Sequence, residues 1–122
     1  MKIYTSYFAK LKKLPNDIIP ISICGKVADW YKGIQYKTLA PKYGFFMEWK
    51  QTHDNEFYIK HFKSKVLDLL KADEVVSKLS ELSNGKDVAL ICYEKPSDFC
   101  HRHLIANWSN ENGYDVEEWS EL

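Results

Sequence analysis

Two kinds of apolar pattern alternate along the chain. Lys2-Ile3-Tyr4-Thr5-Ser6-Tyr7-Phe8 and Ile18-Ile19-Pro20-Ile21-Ser22-Ile23-Cys24 are short and rich in β-branched and aromatic residues, which predicts two strands. Pro20 suits a strand start better than a strand centre, and Gly25 breaks the second run. Val88-Ala89-Leu90-Ile91-Cys92 is apolar without alternation, as expected of a strand covered on both faces in the middle of a parallel sheet. Elsewhere the period is helical. Ile59, Phe62, Val66, Leu69 and Leu70 recur at spacings of three and four, predicting an amphipathic helix over 57–71 capped by Asp54 or Asn55. A second helix has Asp73 as its expected cap, a stripe of Val75, Val76, Leu79 and Leu82, and a stop at Asn84-Gly85. A third, over 100–112, buries Leu104, Ile105 and Trp108, takes Ser97 or Asp98 as cap and ends at Gly113. Tyr114-Asp115-Val116-Glu117 then reads as an edge strand.

Between Lys26 and Asn55 the periodicity lapses. Trp30, Tyr31, Tyr36, Tyr43, Phe45, Phe46 and Trp49 crowd a segment punctuated by Gly33, Pro41 and Gly44, with one or two helical turns expected over 43–50. The order of elements predicts a small three-layer α/β domain with a mostly parallel sheet flanked by helices, residues 1–122 forming one unit. Neither an internal repeat nor a linker interrupts it.

Composition narrows the function class. Apolar residues make up 45% of the chain and charged ones 28%, ordinary values for a globular protein. Seventeen basic residues balance seventeen acidic ones, which argues against a bulk binder of nucleic acid or of membrane surfaces. The charges are nonetheless grouped: Lys10, Lys12 and Lys13 early, Lys60, Lys63, Lys65 and Lys71 on the first predicted helix, and Glu111, Asp115, Glu117, Glu118 and Glu121 at the end. No apolar run approaches a transmembrane length, and the first residues lack the apolar stretch of a signal peptide. Three cysteines without a disulfide-scaffold pattern point to a reduced, cytoplasmic protein.

Chemistry-bearing residues concentrate at one joint, Cys92-Tyr93-Glu94-Lys95-Pro96-Ser97-Asp98-Phe99-Cys100-His101-Arg102. Cys92 closes the buried strand, Glu94 lies in the loop, and Cys100, His101 and Arg102 open the last helix. Open α/β sheets keep their sites at such strand–loop–helix joints. A helix start offers unpaired backbone N–H groups and a positive dipole end, so an anion is the expected ligand, with His101 or Arg102 as charged donor. The same field is expected to lower the Cys100 thiol pKa, making Cys100 the better nucleophile and Cys92 the lesser one. Glu94 is the candidate base or hydroxyl acceptor. Ser6, and with it Thr5, would stand beside the joint if the first strand neighbours Val88–Cys92.

Other chemistries fit less well. Adjacent helical residues diverge by about 100°, so His101 and His103 point apart, while Cys100 and His103 share a face. Paired Cys-x-x-Cys or His-x-x-x-His spacing is absent, and no metal or cofactor is expected. Cys92 and Arg102 are ten apart and Cys100 only two from Arg102, so the phosphate cradle of a protein tyrosine phosphatase is not formed. The loop holds Pro96 and no glycine.

The pattern Cys92-x-Glu94, five residues, Cys100-His101-Arg102, after an apolar strand and before a helix, resembles the hallmark of the bacterial and phage domain-of-unknown-function family 488. The start Lys2 to Phe8, the segment Gly33-Ile34-Gln35-Tyr36 with Leu39-Ala40-Pro41, the Phe57-Tyr58 head of a helix and the closing Gly113-Tyr114-Asp115-Val116 are similar to the family as well. Many members carry an arginine near the end of the second strand. Here that region reads Cys24-Gly25-Lys26: either Lys26 supplies the charge or this branch differs in ligand. The resemblance implies a small α/β fold with its site at the Cys–Glu–Cys-His-Arg joint, and implies no reaction. The leading expectation is an anion or phosphate site for a nucleotide or nucleic-acid-derived ligand, with Glu94, Cys100 and Cys92 as reacting groups and His101, Arg102, Ser6 and Lys26 as binding groups. The alternatives are a non-enzymatic binding or regulatory module in which the joint is a structural clamp, and a thiol-redox or metal protein.

Overall fold

The computed structural model describes residues 1–95 and 97–120; Pro96 in the joint loop and Glu121 of the acidic end lie outside the described residues. Five strands form one parallel sheet: β1 (Ile3–Tyr7), β2 (Ile18–Ser22), β3 (Ile34–Gln35), β4 (Asp87–Cys92) and β5 (Val116–Glu118), in the order β3-β2-β4-β1-β5. The uninterrupted apolar run is the central strand. Val88, Ala89, Leu90 and Ile91 are each at most 1% exposed because β1 and β2 flank β4 and both its faces are covered.

The two faces are covered differently. Val88 and Leu90 pack with Phe45, Phe62, Leu79 and Ile105 from α1 (Tyr43–Thr52), α2 (Asn55–Lys65), α3 (Ala72–Ser83) and α4 (His101–Glu111). Ala89 and Ile91 pack with Phe8, Cys24 and Tyr31, and with Leu11 and Leu14, from the 3-10 turn Phe8–Lys13 and the loop after β2. Connections leading toward β3 therefore lie on one face and those leading toward β5 on the other, as right-handed crossovers require. This is the expected α/β sandwich, with a thinner layer on one side.

Several local expectations shift. β1 stops at Tyr7, and Phe8 begins the 3-10 turn. β3 arises inside the segment that has no clear period, and α1 runs ten residues rather than one or two turns. Pro20 sits mid-strand, yet removes no ladder bond. Hydrogen-bonding direction alternates along a strand, Ser22 faces β3 through its carbonyl (from Tyr36 N, 2.8 Å), and Pro20 faces the same way beyond the end of the two-residue β3.

The helix expected over 57–71 is α2 followed by a separate turn, Leu67–Leu69. Val66 leaves helical geometry at φ −122°, which separates Lys71 from the lysines of α2; Ile59 within α2 and Leu69 in the turn are exposed. Asp54 caps α2, accepting from Phe57 N at 3.2 Å. Asp73 caps nothing. Lys71 is the cap residue of α3, and Asp73 lies in the first turn, where its carboxylate accepts from the Tyr114 hydroxyl. α3 ends in two left-handed residues, Asn84 and Gly85. Neither Ser97 nor Asp98 caps α4: Cys100 does so without a side-chain hydrogen bond, in extended backbone. The chain stays extended there because Phe99 is wedged against Tyr58 and Trp49, ring centres 5.0 and 5.6 Å apart. Among the described residues no helix is long and apolar enough to cross a membrane.

Candidate functional site

A cleft of about 780 Å3 opens at the carboxyl ends of β2 and β4, beneath α1. Cys24, Gly25 and Lys26 follow β2; Cys92, Tyr93 and Glu94 follow β4; Phe99, Cys100 and His101 enter α4; Tyr43, Phe46, Trp49 and Lys50 form the opposite wall. The connections of β2 and β4 depart over opposite faces of the sheet, and such divergence leaves a crevice between strand ends.

His101 organises the floor. Its Nε2 lies 2.8 Å from the Ile23 carbonyl oxygen, which can only accept, so Nε2 carries a proton. In the neutral ring Nδ1 is then left as an acceptor. It stands 3.6 Å from Cys92 Sγ and 3.9 Å from Cys100 Sγ. The ring also packs edge-on against Phe62, 5.6 Å between centres. Glu94 Oε2 approaches Cys92 Sγ to 3.6 Å, and the Cys24 thiol donates to the Ile91 carbonyl at 3.7 Å. All three cysteines are buried free thiols.

Crowding decides their acidity. For Cys100, the thiol contact with Cys92 and then burial push the pKa up, against the opposing contact with His101. For Cys92, the contact with Cys100 favours the thiolate, but Cys24, burial and the Glu94 charge outweigh it and hold the thiol well above its ordinary value. This corrects the expectation of an acidified Cys100: the helix start is present, but a neighbouring sulfur in a dry site disfavours a lone thiolate.

Arg102 does not line the cleft. It is 0% exposed, with Nε and Nη2 donating to the two Glu118 oxygens at 3.1 and 3.2 Å and Nη1 donating to the Glu94 carbonyl at 2.6 Å. Glu118 Oε1 also accepts from the Thr5 hydroxyl at 2.6 Å. β5, β1, the joint loop and α4 are thus tied through one guanidinium. A direct contact between Arg102 and a ligand in the cleft is not what this geometry offers. Ser6 does neighbour β4, opposite Ile91, but it is 0% exposed, lies outside the cleft lining, and its hydroxyl has no hydrogen-bond partner among the described residues. Lys26 lines the cleft, and its carbonyl accepts from the Tyr93 hydroxyl at 2.9 Å.

The expected joint and its strand–loop–helix setting therefore coincide with the cleft, and four of the residues singled out, Cys92, Glu94, Cys100 and His101, converge there. A family model described as the active DUF488-N3 subclade, DUF488-N3a, matches residues 6–113. The chain belongs to this DUF488-N3a family. No curated protein and no solved structure matches it significantly. Cys24 and Lys50, which the sequence does not single out for the candidate site, line the cleft, as does Trp49 of the aromatic segment. The signal for Cys24 was its place at the end of a predicted strand, where a neighbouring strand end could meet it. Lys50 carries none and Trp49 only its place in an aromatic segment able to stack bases, because α1 reaches the cleft only through tertiary packing.

Proposed function

We propose that this DUF488-N3a protein binds a small anionic ligand of the nucleotide or nucleic-acid-derived class in the cleft. The observation that carries the reading is the lining itself: aromatic walls from Tyr43, Phe46, Trp49, Tyr93 and Phe99, two lysines, Lys26 and Lys50, and a single carboxylate, Glu94. Aromatic faces stack planar bases at about 1–3 kcal/mol each, and the lysines supply the charge for a phosphate or carboxylate. Glu94 orients or deprotonates the bound group. Arg102 contributes indirectly, by fixing the Glu94 backbone. The cluster of free cysteines fits a reducing, cytoplasmic setting.

A panel of nucleotides, sugar phosphates and short oligonucleotides tests this by thermal shift and by intrinsic tryptophan fluorescence, compared with Trp49→Phe. A ligand at a hundred times its Kd stabilises the fold by about 2.7 kcal/mol. Glu94→Gln should keep the melting temperature of the free protein and lose the shift. A panel that never moves the melting temperature overturns the proposal. The second reading, a binding module whose joint is a clamp, is favoured by the internal engagement of Arg102. It predicts that Glu118→Gln and Arg102→Lys both lower stability, and that neither these nor Glu94→Gln alters ligand response.

A further inference from the structure

The floor of the cleft brings together two thiols and an imidazole nitrogen from the end of β4 and the start of α4. Cys92 Sγ, Cys100 Sγ and a nitrogen of His101 all lie within 4.8 Å of one another, and all three residues are buried. Nδ1 stands 3.6 and 3.9 Å from the two sulfurs. A tetrahedral zinc ion with bonds of about 2.3 Å to sulfur and about 2.0–2.1 Å to nitrogen spaces its ligand atoms about 3.5–3.8 Å apart. The two sulfur–nitrogen separations are therefore within about 0.4 Å of those in such a site, and a sulfur–sulfur separation of at most 4.8 Å needs to close by about 1 Å or less. The fixed hydrogen bond from Nε2–H to the Ile23 carbonyl aims Nδ1 inward, which is how metal-binding imidazoles are oriented.

We propose that Cys92, Cys100 and His101 form a binding site for a thiophilic divalent cation, zinc by ligand chemistry, with its fourth position turned toward the cleft beside Glu94. Glu94 Oε2, 3.6 Å from Cys92 Sγ, is a side-chain oxygen available for that corner; a water or a ligand atom from the cleft is the alternative. Cys24 stays outside the site, its thiol directed to the Ile91 carbonyl. Binding forms two metal–thiolate bonds and one metal–Nδ1 bond, and the two thiol protons leave to solvent. The dipositive ion and two thiolates sum to zero charge, which a buried site tolerates. Without a cation the same burial and sulfur–sulfur crowding hold both thiols protonated. A metal reverses that balance by stabilising the thiolates directly.

The spacing rules that argue against a metal from sequence miss this set because its ligands come from a strand end and a helix start rather than from one local motif. The site does not depend on the nucleotide reading. A cleft that binds no nucleotide leaves the metal prediction intact, and the reverse also holds.

The test is titration of the reduced full-length protein with Co2+ alone, followed by Zn2+. One equivalent of Co2+ should give thiolate-to-cobalt charge transfer in the near ultraviolet and the intense visible bands of tetrahedral cobalt. Zn2+ should displace it and protect two thiols per chain from alkylation. Cys92→Ser and Cys100→Ser should each lose one thiolate contribution, whereas Cys24→Ser should leave the spectrum unchanged. Should a serine variant fail to fold, the wild-type spectrum and thiol protection decide alone. Absence of the charge-transfer band in the folded, reduced wild type overturns the proposal. So does a band untouched in folded Cys92→Ser and Cys100→Ser.

Discussion

Tyr31 and Gly33 show how closely single side chains are fitted on the thin face of the sheet. The Tyr31 hydroxyl donates to the Ile34 carbonyl at 2.6 Å, and a Cβ placed on Gly33 would meet that hydroxyl oxygen at 2.6 Å. Gly33→Ala should therefore destabilise the fold by displacing the ring, measured by urea denaturation; an unchanged midpoint would show that the ring yields freely. Burial pushes the Tyr31 phenol up to about 12. The unfolded phenol ionises near 10, so between about pH 10 and 12 the unfolded chain loses a proton that the folded chain keeps, and stability falls as pH rises. Tyr31→Phe should lose about 0.5–1.5 kcal/mol at neutral pH and flatten the alkaline decline. An identical alkaline slope in the variant would exclude Tyr31 as its source. Neither residue stood out in the sequence beyond its type, because a close approach between two positions of one loop leaves no periodic trace. Cys92, Glu94, Cys100 and His101 did stand out, since four reactive residues within ten positions at a predicted strand–helix joint already imply proximity.

Arg102 acts at the scale of elements. Through Glu118 it ties α4 to β5, and through the Glu94 carbonyl it holds the loop that leaves β4. Its complete burial makes the pairing obligatory: Glu118→Ala leaves an unmatched guanidinium inside the protein, a loss of roughly 3–5 kcal/mol. Chemical denaturation should register that loss; a change below about 1 kcal/mol would mean that water reaches the guanidinium. Helix types and most strand types followed from periodicity. Their boundaries did not where packing overrode local preference. Phe99 docking on Tyr58 and Trp49 moves the start of α4 past two good capping residues, and the turn at Val66 divides an apolar stripe that the spacing alone would continue.

Across the whole molecule, β4 is the axis. It pairs with β1 along Val88–Cys92 and with β2 along Asp87–Ile91, while β3 and β5 hold the edges. Amide exchange should be slowest in β4 and faster in β3 and β5, since edge strands open without breaching the core. Equal protection across the sheet would refute this hierarchy. The sequence by itself determined the α/β class, the doubly covered central strand and the joint that carries the candidate site, because burial leaves an apolar run and a strand–helix joint leaves its reactive residues contiguous. Only the tertiary structure decided that Arg102 turns inward to Glu118, that Cys24 and α1 join the cleft, and that His101 faces both Cys92 and Cys100. Those outcomes depend on which strand ends lie side by side and which face each connection crosses, and no periodicity within a single element carries that information.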